Sequence, residues 1–188
     1  MRAPLMRTSL AWLQKRLAHL AVGAGLAIVV ITPAHAAVDM FVRADNIPGE
    51  SIDKQHPGEI EISSYSLAAS RNGPSGAVAF DELLFTHLYD KSSPLLFDSN
   101  VHGTHIGNVV LSFRKAGGAT PLDYLIITLA DVVVTSIHQT DASGADRGVE
   151  TVGLRFGKIT MKYTTQKADG AAGAVFQVVY DQQTGQAT

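Results

Sequence analysis

From residue 38 onward, apolar and polar side chains alternate with the two-residue period of β-strands. Residues 38–42 and 59–62 follow this alternation, and then Tyr65 and Leu67 take the opposite parity. A single phase slip within a strand is what a β-bulge produces. The pattern therefore predicts two strands, the second with a bulge near Ser63 and Ser64.

A short helix is predicted after Asp90. Ser93 is a suitable N-cap, and Pro94 suits the first helical position because an N–H there would have no partner within the helix. Gly103 suits the left-handed conformation that ends a helix. The expected buried stripe of this helix consists of Leu95, Leu96 and Val101.

The rest of the chain again has the pattern of strands, separated by loops rich in turn-forming residues. Predicted strands cover residues 78–88, 109–114, 124–137, 152–163 and 175–180. Asp131 interrupts the third of these, and Gly157 indicates a bulge or a sharp bend in the fourth. The expected fold class is all-β and mainly antiparallel: a small closed or sandwich-like β-barrel of seven to eight strands with one short flanking α-helix.

Residues 1–36 have the three-part pattern of a secretory signal peptide. Four cations and no anion precede a stretch of roughly 15 mostly apolar residues, and Ala34-His35-Ala36 offers small residues at the cleavage positions. Two other interpretations remain open, a start codon assigned too far upstream and a single-pass anchor, although a membrane span needs about 20 residues. The domain prediction is a signal-peptide-like leader at 1–36 and a β-barrel domain at 37–188.

Charge and composition exclude several classes of function. All 17 acids but only 11 of the 15 bases lie after residue 36, and an acidic domain is a poor partner for nucleic acid. The absence of cysteine excludes disulfides, thiolate zinc sites and thiol nucleophiles. No stable membrane insertion of the β-domain is expected.

A search for catalytic chemistry finds no convergent set of residues. His102 and His105 are closely spaced, but no third metal ligand lies near them in the sequence, and Gly103 between them argues against one helical face. Neighbouring acids such as Asp81 and Glu82 point to opposite faces of a strand. No serine has the context of a nucleophile elbow. We therefore expect no enzyme, no cofactor, and no catalytic, cofactor-binding or metal-ligating residues.

Several segments resemble, in order, those of the haemolysin-coregulated protein (Hcp) family of bacterial type VI secretion systems. They are AVDMF at 37–41, PGESIDKQH at 48–56, FTHLYDKSSPLL at 85–96, FRKAGG at 113–118, YLIITL at 124–129 and QKADG at 166–170. The resemblance covers residues 37 to about 180. It implies a β-barrel subunit that forms homohexameric rings, which stack into a hollow tube. Its implied partners are its own copies, other type VI components and effector proteins carried in the lumen, and it implies secretion by that system.

Two sets of residues are assigned from this resemblance. Ser64 and Ser66 are expected to face the lumen, because small polar side chains of one strand parity suit a wet channel wall. The loop 68–79 corresponds to the family's protruding loop, so its central residues are expected to help rings stack; they are Arg71, Asn72, Gly73 and Pro74.

The leader is the one departure from the family pattern, whose members start near the residue that matches Ala36 and carry no signal. If the leader is used, the protein reaches the periplasm and not a cytoplasmic tube. The alternative function is therefore an exported periplasmic β-barrel binding protein of the same fold that forms no tube.

Overall fold

The computed structural model describes residues 38–74, 76–115 and 121–188. The predicted leader at 1–36 lies outside these residues. The described part contains ten strands and one helix, which are β1 (Val38–Ala44), β2 (Ile60–Ser66), β3 (Ala69–Arg71), β4 (Val78–Phe80), β5 (Leu83–Leu88), α1 (Ser92–His102), β6 (His105–Lys115), β7 (Leu122–Thr140), β8 (Val149–Gln166), β9 (Ala172–Asp181) and β10 (Gln186–Ala187).

Six antiparallel strands close into a barrel in the order β8-β5-β2-β1-β6-β7, and β7 pairs back onto β8. Strand β9 pairs with β8 on the edge that faces away from β7, and β10 pairs with β9. This closed barrel with one flanking helix confirms the predicted fold class. The strand count exceeds the expected seven to eight because the β3–β4 hairpin and the two-residue β10 were not predicted.

The barrel interior is filled by aliphatic and aromatic side chains from all six strands, and its most buried members include Val42, Ile60, Leu83, Phe85, Leu111, Phe113, Ile127, Leu129, Val152 and Leu154. Strand β8 is much longer than its neighbour β5. Its residues 149–154 pair with β5, whereas its residues 158–166 pair with β9. The second half of β8 therefore projects beyond β5 with β9 beside it.

Two predicted irregularities had different outcomes. The bulge in β2 is confirmed, since the pairing of β2 with β5 shifts between Ile62 and Ser64. The bulge alternative at Gly157 is wrong, because the β7–β8 register is the same at Lys158 and at Phe156, on either side of that residue. The facing Asp131 adopts a left-handed φ of 54° instead, and a Cβ on Gly157 would lie 3.1 Å from its carboxylate. The register of this pair shifts further along, between Val134 and Ser136.

Helix α1 has the predicted position and end but not the predicted buried stripe. Gly103 ends it with φ 61°, as expected. Ser93 is not the N-cap: the helix begins at Ser92, whose N–H donates to Asp90 Oδ1 at 2.8 Å. The buried side chains are Leu96 and three serines, whereas Leu95 and Val101 are exposed. The predicted apolar stripe is therefore wrong except at Leu96.

The predicted strand 78–88 is in fact two strands. Its first part, β4, pairs with β3 in a separate two-stranded hairpin, and β5 begins at Leu83. Phe80 of the hairpin packs against Phe156 and Tyr180, with ring centroids 5.4 and 5.5 Å apart. These contacts place the base of the hairpin against β8 and β9.

Candidate assembly surface

An exposed apolar surface lies on the part of the sheet that projects beyond β5. Two directly opposed pairs of β8 and β9 form it, Tyr163 with Phe176 and Met161 with Val178. All four side chains are exposed, Phe176 at 62%. We call these four residues the open face. Contiguous exposed apolar residues of this kind mark interaction sites in soluble proteins.

The outer edge of β9 is unpaired along most of its length. Strand β10 pairs only with Tyr180 and Asp181, and Thr188 bonds to Val179. Among the described residues, no strand pairs with the edge of residues 172–178. A free edge of this length is a template for pairing with another chain. The apolar surface and the free edge thus belong to the same strand.

Aromatic residues continue the open face towards the barrel. The ring of Tyr124 meets that of Tyr163 edge-on at 6.1 Å, and Tyr65 packs on Phe113 at 4.5 Å. Burial raises the pKa of Tyr124 above its ordinary value, and the neighbouring tyrosines raise it further. Tyr124 therefore remains neutral in this surface at physiological pH.

Ser64 and Ser66 lie together on a different, exposed face of the barrel wall. Each begins a row across three strands, Ser64 beside Thr86 and Ser66 beside Leu84. Thr86 Oγ1 lies 3.0 Å from Thr151 Oγ1 on β8. The second row continues at Gly153, where a Cβ would lie 2.2 Å from Ser136 Oγ. This serine face, made of both rows, is therefore lined mainly by small and hydroxyl-bearing residues.

The residues predicted to help rings stack lie at the end of β3 and in the loop that connects β3 to β4, and not on the serine face. Arg71 is the last residue of β3, and its Nη1 donates to the Pro74 carbonyl at 3.3 Å. Gly73 has a φ of 74°, which a residue with a side chain rarely adopts. All four residues, Asn72 included, are exposed.

Comparison with known proteins identifies the family. A family model described as "Type VI secretion system effector, Hcp" matches residues 41–163. The chain belongs to the Hcp family. Protein hcp1 of Pseudomonas aeruginosa is 40% identical over 143 residues, which cover 72% of this chain and 88% of that protein. Hcp proteins are secreted tube proteins of type VI systems.

Solved structures agree with this assignment. Hcp1 from Salmonella typhimurium is 32% identical with a TM-score of 0.71, covering 81% of this chain and 99% of that one. A type VI secretion system effector from Yersinia pestis is 32% identical with a TM-score of 0.66, covering 76% of this chain and 99% of that one. The β-domain of this Hcp-family chain is thus matched nearly end to end.

The Hcp-like segment 48–56 forms the loop between β1 and β2, which is fastened to the barrel by ion pairs. Arg114 of β6 is buried and binds Asp53 at 2.6 and 2.8 Å and Asp39 at 3.2 Å. The hydrogen bond from Arg114 holds the pKa of Asp53 far below its usual range. The same pairing raises the pKa of Arg114. Both groups are therefore charged throughout the physiological range.

His56 fastens the end of the same loop. Its ring stacks on Phe41 with centroids 4.3 Å apart. Its Nδ1 lies 3.0 Å from a Glu59 oxygen and its Nε2 lies 3.3 Å from an Asp123 oxygen. The histidine thus joins the loop to β1 and β7, and its nitrogens are occupied by structural contacts.

The loop is also joined to the start of the helix. Glu50 N–H donates to Asp90 Oδ2, and Lys91 N–H donates to Glu50 Oε1, both at 3.2 Å. The two Hcp-like segments 48–56 and 85–96 therefore form one structural unit in this chain.

The histidines considered for metal binding do not converge. His102 Nδ1 lies 3.2 Å from Asp98, whereas His105 Nδ1 lies 2.7 Å from Asp131. Within the described ranges, no group of three or more His, Asp or Glu side chains is arranged to hold a metal ion. No helix among the described residues is long and apolar enough to cross a membrane.

Sequence reasoning missed the open face and the role of the β1–β2 loop. The sequence did contain a signal for the open face. Met161 and Tyr163 share a parity in one predicted strand, and Phe176 and Val178 share a parity in the next. Alternation shows that one face of a strand is apolar but not whether another element covers it. The loop contacts join residues more than 60 positions apart, which no local pattern indicates.

Proposed function

We propose that this chain is a structural subunit that binds its own copies head to tail in a hexameric ring, and that the rings stack into the tube of a type VI secretion system. The observation that carries the proposal is the open face together with the free edge of β9. A soluble subunit that exposes both gains from burying them against a second chain, at about 25 cal/mol per Å² of apolar surface removed from water. Heterologous contacts that repeat around a rotation axis close into rings.

Val178→Asp is expected to break the assembly. The aspartate places a charge in the centre of the contact, so the assembled fraction should fall at least tenfold. Val175→Asp is the matched control, because Val175 lies on the same strand, points to the opposite face and has the same 57% exposure. Light scattering after size exclusion measures the mass of each variant. Wild-type protein that remains a monomer at high concentration would overturn the proposal. Equal masses for the two variants would show that the open face is not the surface through which the subunits assemble.

We further propose that the serine face lines the lumen and contacts effectors. Ser64 and Ser66 support this assignment because they lie in rows of small or hydroxyl-bearing side chains, which leave space and hydrogen-bonding groups for a guest protein.

Ser66→Arg is expected to leave the ring mass unchanged and to reduce the amount of co-purified effector at least tenfold, because the long cation fills the space above its row. Ser143→Arg, at an exposed serine of the loop between β7 and β8, is the control. Equal effector retention by wild-type and Ser66→Arg protein would contradict the assignment.

Stacking of the rings is assigned to the tip of the β3–β4 hairpin, including Arg71 and Pro74. Its exposure and its internal bond from Arg71 support this role, because a held tip loses less entropy on docking.

The alternative function, a periplasmic binding protein of the same fold, is favoured by the signal-like residues 1–36 alone. It requires removal of that segment and a monomeric product, so the mass measurement separates the two proposals. Periplasmic localisation belongs to this alternative, whereas secretion by the type VI system belongs to the first.

A further inference from the structure

Ile52 is an exposed aliphatic residue on a firmly held loop. Its side chain is 95% exposed. On one side of it, Ser51 Oγ donates to Glu61 at 2.9 Å, and on the other side Asp53 binds Arg114. The Asp53 N–H also donates to Ser51 Oγ at 3.2 Å. A large apolar side chain held in this way is suited to be an interface anchor, because little entropy is lost when it docks.

Ile52 and the open face lie on different elements of the fold. The loop that carries Ile52 contacts β6 through the Asp53–Arg114 pair and β7 through His56 and Asp123. The open face projects from β8 and β9. A head-to-tail ring requires each subunit to offer two different surfaces, because its contacts join unlike patches. Ile52 and the open face meet this requirement.

The charges of the two regions are complementary. Residues 45–59 contain four acids and one lysine, whereas residues 157–188 contain three lysines and two aspartates. Opposite net charge favours approach of one region to the other between copies, and it disfavours pairing of two identical β1–β2 loops.

We propose that Ile52 of one subunit docks on the open face of the next, against Phe176 and Val178. The inference rests on the proposed ring assembly and names the contact that forms it. The hydrogen bonds and ion pairs of Ser51 and Asp53 then act as positioning contacts for Ile52.

Cysteine cross-linking tests this contact directly, because the chain contains no cysteine of its own. Ile52→Cys and Val178→Cys are introduced together into the full-length chain, and the purified protein is oxidised mildly. A disulfide needs a Cβ–Cβ distance of about 3.5–4.5 Å, so covalent dimers and higher multimers should form only if the two positions meet between subunits. The control pairs Ile52→Cys with Val175→Cys on the opposite face of β9.

A ladder of multimers with Val178→Cys, at least tenfold more abundant than with Val175→Cys, supports the contact. Rings of the expected mass without this ladder overturn the inference and leave the proposed assembly standing. The Ile52→Cys single variant measures the background of loop-to-loop disulfides, and a double variant whose multimers do not exceed that background would also overturn the inference. A protein that stays monomeric contradicts both the assembly and the contact.

Discussion

Glu150→Leu is expected to lower the free energy of unfolding by about 3–5 kcal/mol, because it leaves two buried polar groups without their acceptor at roughly 1–3 kcal/mol each. Glu150 and His87 are both fully enclosed in the barrel, and the His87 Nε2 lies 3.0 Å from Glu150 Oε2. Gln139 Nε2 donates to the other carboxylate oxygen at 2.6 Å. Without the carboxylate, the imidazole and the amide lose their buried acceptor.

The double variant His87→Leu/Glu150→Leu is expected to lose less stability than the sum of the two single variants, because two apolar side chains leave only Gln139 without its partner. Urea denaturation followed by circular dichroism gives the free energies. A double variant that loses the full sum would show that the histidine and the carboxylate contribute independently.

Arg114→Met is expected to cost about 2–4 kcal/mol at neutral pH, somewhat less than a fully buried pair because Asp53 keeps partial contact with water. The variant leaves Asp53 and Asp39 without their cation and removes one of the contacts that fasten the β1–β2 loop. Arg155→Met is the control: Arg155 is exposed and lies 3.8 Å from Glu82, so its removal should change stability by less than about 0.5 kcal/mol.

The Asp53–Arg114 pair makes the stability of the wild-type protein depend on pH in the acid range. Because Arg114 holds the pKa of Asp53 below its unfolded value, the folded state keeps this carboxylate ionised where the unfolded chain binds a proton. The stabilisation is complete above about pH 4 and decreases as the pH falls further towards the lowered value. Asp53→Asn should therefore lose less stability than wild type between pH 4 and pH 2. Parallel curves for the two proteins would contradict this origin.

The strands of the barrel could be predicted from the sequence, because the alternation of apolar and polar residues within a strand is a local pattern. Strand alternation has a period of two, and the phase slip after Ser63 showed a bulge that the β2–β5 pairing confirms. The helix end at Gly103 was predictable for a similar reason, since few other residues adopt its φ of 61°.

The buried face of the helix was not predictable from residue polarity. Ser99 is buried because its hydroxyl donates to the Leu95 carbonyl of its own helix, which satisfies its polar group without a partner elsewhere. Asn100 donates to the Val134 carbonyl and orients the helix on β7. Leu95 and Phe97 therefore face outward, contrary to the usual pattern.

The candidate site depends on strand lengths more than on residue types. Met161 and Tyr163 would be ordinary interior residues if β5 continued along β8, but β5 contains six residues and β8 contains 18. The pairing that leaves the open face uncovered is a property of the whole topology. Ile52 likewise could not be identified as an interface residue from its local sequence, because Arg114, which holds the loop beside it, is distant in the chain.

The one-sided pairing of β9 also affects how this strand exchanges protons with water. In an antiparallel ladder, alternate backbone amides point to each side, so every second N–H along residues 175–178 faces solvent and not β8. These amides exchange rapidly in a free subunit, while their immediate neighbours, bonded to β8, are protected. Once another chain pairs with β9, both sets of amides exchange slowly. The rate of hydrogen exchange in β9 therefore distinguishes the free subunit from the assembled one.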